Sequence, residues 1–302
     1  MRRVLVTGAS GFIGRATVAA LHAAGGKVVA AARAPRDFGP DVETIALPDL
    51  SRPVDWMPLL RDVTHVVHLA ALAHKRAGVP DASYEQVNRQ AVADLAAAAT
   101  GRVQRLVFIS SVAAQTGPSA DHVLTEADAP HPTTIYGRTK LAAEEALRAC
   151  GVPHTILRPV VVYGPNAPGN VAALVRLAAL PVPLPLGAFT AQRSLLAVDN
   201  LVTAIVLALD EPNVRNETYV VADPESLTLP EIVTALRAGM GRSPGLINIP
   251  PGLFAGALRM AGRSALWQRL GGSLVASPAK LLAGGWRPPV AIRDGLAAMT
   301  AA

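Results

Sequence analysis

Cysteine is almost missing from this chain, with Cys150 the single one. An intrachain disulfide is therefore excluded, as is a zinc centre built on thiolates, and a reducing, cytoplasmic compartment is the expectation. Aromatic residues make up 4% of the sequence, too few to offer stacking platforms for nucleic-acid bases. No uninterrupted apolar run approaches the length of about eighteen residues that a membrane span requires, so no membrane partner is expected. Met1-Arg2-Arg3 and the apolar residues after it imitate a secretion signal only briefly. Gly8, Gly11 and Gly14 interrupt the run and Arg15 ends it. Lysine is scarce as well: 24 of the 28 basic residues are Arg, and the formal net charge is +6. These bases form no run. They read as dispersed surface charge or as attraction for a small anionic substrate, and no nucleic-acid partner is expected.

What is present is apolar. Hydrophobic residues are 51% and charged residues 17% of 302, which excludes disorder and assures a sizeable core. Residues 3–7, 27–32, 65–70, 105–110 and 154–158 read as strands. Helical patterns over 12–24, 84–99 and 136–150 lie among them, the last stopped by Gly151. That alternation predicts an α/β fold with a doubly wound, mainly parallel sheet. After Pro159 a proline- and glycine-rich stretch, 164–187, leaves the sheet, 194–209 reads as helix and 218–221 as strand. The expected division is a dinucleotide-binding part, 1–165 plus 190–222, and a smaller substrate-binding part, 166–189 plus 223–302.

Two motifs carry chemistry. Thr7-Gly8-Ala9-Ser10-Gly11-Phe12-Ile13-Gly14 sits at the first strand–helix junction, where glycines permit a tight turn, close approach of a pyrophosphate and close helix packing. Tyr136-Gly-Arg-Thr-Lys140 places Tyr136 and Lys140 four residues apart on one helix face. An ammonium there favours tyrosinate, and lowering a phenol from about 10 towards 7 makes it a base for an alcohol proton.

The spacing Gly-x-x-Gly-x-x-Gly, with Tyr-x-x-x-Lys downstream, resembles the extended short-chain dehydrogenase/reductase superfamily, in its nucleotide-sugar epimerase and dehydratase branch. The resemblance implies a Rossmann-like sheet and a catalytic set of Ser111, Tyr136 and Lys140, with Ser110 the alternative to Ser111. It places Gly8, Gly11, Phe12, Ile13 and Gly14 at the cofactor. Leu69, Ala70 and Ala71, Asn88, Pro159 and Val161 join them, as do Tyr136 and Lys140. The second strand ends Ala31-Ala32-Arg33 without a carboxylate. Arg33 is thus either a partner for the 2′-phosphate of NADP or a solvated side chain. Asp49-Leu50 matches the pair that meets adenine, although Asp49 could equally cap a turn. Asn170 and Arg193 match residues that hold the substrate diphosphate.

Other candidates fail. His65 and His68, three apart on a strand, face opposite ways and cannot chelate together, and no metal site is expected. His74 and Lys75 lie near the expected pocket mouth and read as a solvated loop. The expected activity is NAD(P)-dependent 4-epimerisation of a UDP-hexose through a transient 4-keto sugar, with NAD tightly bound. A 4-keto-sugar reductase using NADPH is the alternative, and a non-catalytic cofactor-binding regulator a more remote one. A homodimer is implied by the resemblance alone.

Overall fold

The structure, a computed structural model, describes residues 2–34, 36–73, 78–260 and 271–301. Its frame is a parallel sheet of seven strands. β1 (Arg3–Thr7), β2 (Lys27–Ala32) and β3 (Glu43–Ala46) form one half. β4 (His65–His68), β5 (Arg105–Ile109), β7 (His154–Pro159) and β10 (Glu217–Val221) form the other. The order β3-β2-β1-β4-β5-β7-β10 turns back between β1 and β4, which in a doubly wound sheet opens a crevice beyond the strand ends. β1 shows why both faces need cover. Val4 and Val6 enter a core completed by α1 (Phe12–Ala23) and α6 (Val198–Asp210). Leu5 enters the opposite core. That side is closed by α3 (Ala91–Ala99) and α4 (Ile135–Ala149), through Leu95 and Leu147.

The helix leading into α3 is irregular. It opens as α2 (Asp81–Tyr84) and passes through a π-helical stretch, Glu85–Gln90, before α3 begins at Ala91. The wider turn holds one extra residue, a device frequent at functional sites.

A second, smaller sheet holds β8 (Val161–Tyr163), β9 (Gln192–Ala197) and β11 (Ser226–Thr228), in the order β11-β9-β8. A third core gathers here, formed by Leu184, Leu186, Phe189 and residues of α7 (Leu229–Gly239). The expected helix over 194–209 is therefore two elements, β9 and then α6. The segment 190–222, assigned whole to the dinucleotide-binding part, divides accordingly: β9 lies in the small sheet, and α6 and β10 belong to the large one. An apolar run such as Ser-Leu-Leu-Ala-Val satisfies both periodicities, and pairing with β8 and β11 decides. Two short strands, β6 (Val123–Leu124) and β12 (Val275–Ala276), pair in parallel and tie the C-terminal region to the loop after β5. Among the described residues, the C-terminal region also holds the helices α5 (Asn170–Ala178), α8 (Pro251–Met260), Ala279–Ala283 and Ile292–Ala298.

Candidate active site

The crevice between β1 and β4 is floored by glycine backbone. Gly8 has a φ of +72°, and a Cβ there would stand 2.8 Å from the Ala70 nitrogen. At Gly14 it would stand 2.3 Å from the Gly8 carbonyl oxygen. Any side chain at either position would push the turn away from β4 or α1 away from the turn. α1 begins at Phe12 behind Gly11, without a side-chain cap, so its first N–H groups are left for an anion. Thr7 braces the floor: its Oγ1 lies 2.9 Å from His68 Nδ1 and accepts from the Ala70 nitrogen at 3.4 Å. The Phe12 ring reaches across to the Gly164 turn. An uncapped helix start over a glycine turn at the switch point suits a dinucleotide pyrophosphate.

Towards the β3 edge the residues stand differently. Arg33 is exposed at the end of β2. Asp49 accepts from the Ser51 nitrogen at 3.0 Å, and that bond, with Arg52 and Arg33 adding their charge, holds its carboxyl below the usual range. Leu50 is buried among Trp56 and its neighbours, so only its backbone faces outward chemistry.

At the end of β5 the chain turns over a short 3₁₀ segment, Val112–Ala114, capped by Ser111, whose Oγ accepts from the Ala113 nitrogen at 3.1 Å. α4 comes close enough to meet it because of Gly137. A Cβ at that position would lie 2.0 Å from the Ala113 carbonyl oxygen. The contact brings Tyr136 to Ser111, and their side chains hydrogen-bond. Lys140, one turn on, is buried with its Nζ donating to the Ile109 carbonyl at 2.8 Å and lying 4.5 Å from the Phe108 ring centre. Burial lowers Lys140 to about 7, against the opposing charge of Glu144. The expectation of a lowered phenol is not met by the chain alone: burial raises Tyr136, and the Ser111 bond only offsets part of this.

Ser110 is committed elsewhere. It donates to Glu144 Oε1 at 2.5 Å, and the fully buried Glu144 carboxylate also accepts from Arg158 at 2.9 and 2.6 Å. Arg158 continues to Gln115 Oε1 at 3.0 Å, and Gln115 donates to the Thr125 carbonyl. This network pins the β5 end, α4, β7 and the following loop together beneath Ser111 and Tyr136. Sequence reading missed it. Glu144 falls one helical turn after Lys140 on the same face, which was the available signal. Asn88, in the π-helical stretch, is fully buried. Its Oδ1 accepts from the Leu72 nitrogen at 2.8 Å, and its Nδ2 donates to the Leu72 carbonyl at 3.1 Å and to Thr139 at 3.3 Å. Its reach to any ligand therefore runs through the Leu69–Leu72 backbone it anchors.

The remaining candidates line the way to the smaller sheet. Pro159 ends β7 and Val161, exposed, opens β8. Asn170 is exposed at the first turn of α5. Arg193, half-buried on β9, donates to the Pro118 carbonyl at 3.0 Å. His74 and Lys75 lie outside the described residues. His65 Nδ1 is 2.9 Å from Thr64 Oγ1, away from His68, and no group of potential metal ligands occurs among the described residues. No helix among them is long and apolar enough to cross a membrane.

A doubly wound sheet with a glycine turn at its switch point, and a Ser–Tyr–Lys set beside it, defines an enzyme of the extended short-chain dehydrogenase/reductase type. The model of the NAD dependent epimerase/dehydratase family matches residues 4–222, and the chain belongs to that family. A UDP-glucose 4-epimerase of Vibrio cholerae is 30% identical over 307 residues, covering 97% of this chain and 93% of the relative. A ceramide reductase of Caulobacter vibrioides is 30% identical over 268 residues, 84% of this chain and 76% of the relative. Among solved structures, the UDP-glucose 4-epimerase of Thermus thermophilus in complex with NAD superposes with a TM-score of 0.75. It is 29% identical over 99% of this chain and 97% of that one.

Proposed function

We propose that this enzyme interconverts the 4-epimers of a UDP-linked hexose. The observation that carries the reading is the Ser111–Tyr136 hydrogen bond above buried Lys140, joined to full-length similarity to a UDP-glucose 4-epimerase. A bound nicotinamide dinucleotide supplies reversible hydride acceptance at the sugar carbon. Ser111 orients the 4-oxygen, and Tyr136 removes its proton and later returns one. Because burial alone holds the phenol high, the base form depends on Lys140 staying protonated and on the positive charge that enters with the dinucleotide. Arg193 and Asn170 grip the diphosphate, leaving the transient 4-keto sugar free to turn between the two proton transfers. The protein works as a cytoplasmic homodimer.

A second reading, an NADPH-dependent 4-keto-sugar reductase, is favoured by one observation: exposed Arg33 at the β2 end, with no carboxylate until Asp37. Incubation with UDP-hexoses decides between them. An epimerase interconverts the 4-epimers with no net change in nicotinamide absorbance. Stoichiometric NADPH oxidation by a 4-keto sugar, with no epimer formed from any UDP-hexose, replaces it by the reductase. Arg33→Asp sharpens the cofactor question, since it turns an ion pair with a 2′-phosphate into a repulsion. NADP affinity should fall far more than NAD affinity, and equal losses would make Arg33 a solvated residue.

A further inference from the structure

Tyr136, Lys140, Glu144 and Arg148 follow one another at intervals of four along α4. Each step of four turns about 40° past a full circle, so the row winds slowly round the helix. It begins at the Ser111 bond, passes through buried Lys140 and Glu144, and ends at an Arg148 side chain that is 40% exposed. Phenol, ammonium, carboxylate and guanidinium thus stand in file from the sealed site to solvent. At the outer end the contacts are direct. Arg148 Nη2 donates to Glu144 Oε2 at 2.9 Å, and to Thr218 Oγ1 on β10 at 3.0 Å. The same Oε2 accepts from Arg158 at 2.6 Å. One buried carboxylate therefore answers two guanidinium groups as well as the ammonium of Lys140, whose protonated form it favours. Ser110 and buried Arg158 already hold Glu144 in place. A further donor is superfluous as a clasp but not as a charge.

We propose that Arg148 is a positioning residue for the Tyr136–Lys140 pair: acting through Glu144, it trims from the protein surface the negative field that Lys140 receives. A cation on the far side of a carboxylate cancels part of that carboxylate's field on the near side. Burial takes Lys140 to about 7 against the charge of Glu144, so its ammonium changes charge near neutral pH, where a small change of field moves its population. The other titratable neighbours do not take this part. His68, on β4 beside Lys140, is held neutral by burial, at about 3. His154, at the start of β7 and within the field of Arg148, is lowered first by burial. Glu217 on β10 is engaged by Lys280. The inference rests on the Tyr136–Lys140 chemistry proposed above and not on which sugar is converted.

The chain holds four lysines, Lys27, Lys75, Lys140 and Lys280, so few signals compete in protein isotope-labelled at the lysine Cε. Lys140→Met assigns the Lys140 signal, and NMR follows its titration in the full-length enzyme whether or not a UDP-hexose is turned over. Arg148→Gln should raise the Lys140 midpoint by about half a pH unit at low salt. The alkaline limb of kcat/KM for epimer formation should move up with it. Arg148→Lys should restore the parent midpoint. Because Arg148 is partly exposed, high salt should shrink the difference between parent and Arg148→Gln. Thr218→Val, which removes the other contact of Arg148, should leave the midpoint where it is. A midpoint unmoved by Arg148→Gln overturns the proposal, as does an equal shift in Thr218→Val. Either result makes Arg148 a brace between α4 and β10. Failure of the reading on which the inference rests shows separately, as parent-like turnover in Tyr136→Phe.

Discussion

Two buried arginines show how differently the two regions of the molecule are built. Arg158, in the large sheet, meets the Glu144 carboxylate with two hydrogen bonds. Arg237, in the smaller region, donates instead to five backbone carbonyls, those of Ala178, Leu180, Val182, Pro244 and Gly245. The glycines differ in the same sense. A Cβ at Gly14 or Gly137 would collide with backbone, whereas at Gly252 or Gly256 in α8 it would meet nothing within 4 Å. Around Tyr136 charge is matched with charge, and backbone touches backbone. Around Arg237 a single guanidinium ties loops together, and the helix beyond has room to spare. The first arrangement holds Ser111, Tyr136 and Lys140 in fixed relation, and the second holds loops to a helix.

The largest expected effect breaks the chemistry and leaves the frame. Tyr136→Phe removes only the phenolic proton, so turnover should fall by about 10²–10⁴-fold with dinucleotide affinity nearly unchanged. Turnover within threefold of the parent, measured by epimer formation, would remove Tyr136 from the mechanism.

Glu144→Gln attacks the matched charge. It strands the Arg158 guanidinium in the core, and breaking such a pair costs about 3–5 kcal/mol. Chemical denaturation should read that loss. Glu144 also raises Lys140, so its removal moves the limb of kcat/KM that reports Lys140 to lower pH. A variant as stable as the parent, with an unmoved profile, would erase the contrast between the two arginines.

Arg237→Met should be milder, about 1–3 kcal/mol, because no buried opposite charge is left behind and the loop carbonyls can turn to water. Proteolysis within 178–184 should accelerate while the Tyr136 chemistry stays intact. A loss as large as that of Glu144→Gln would mean that carbonyls hold a guanidinium as firmly as a carboxylate does.

The smallest effect has the opposite sign. Gly256→Ala should stabilise α8 by about 0.5–1 kcal/mol, since the added methyl meets nothing. Thermal melting checks it, and Gly14→Ala, destabilising through its 2.3 Å approach, is the control.

Much of the large sheet was legible in the sequence because its signals are local. Val4-Leu5-Val6 followed by three spaced glycines states a strand, a turn and a helix within a dozen residues. Ser111, Tyr136 and Lys140 could be placed because a strand end and one helical turn bring them together. The partners of Glu144 could not be read. Ser110 and Arg158 lie 34 and 14 residues away, and only the β5–β7 pairing sets them side by side. β9 was hidden for the same reason: its apolar run fits a helix until β8 and β11 are present to pair with it. The meeting of Leu184 with Gly245 and Ile247 was likewise illegible, because it joins two loops about sixty residues apart.

The π-helical stretch Glu85–Gln90 has a consequence for the gene. A π turn accommodates one residue more than an α turn, so the reading frame here carries a single surplus codon. Deleting one of these codons closes the wide turn to an ordinary α turn, leaving the flanking helix in nearly the same phase but removing the local bulge on which Asn88 sits. Asn88 would then no longer hold both its Leu72 and its Thr139 contacts. The surplus codon thus widens the helix at the one place where an amide clamps two chain segments, without turning the helix on either side.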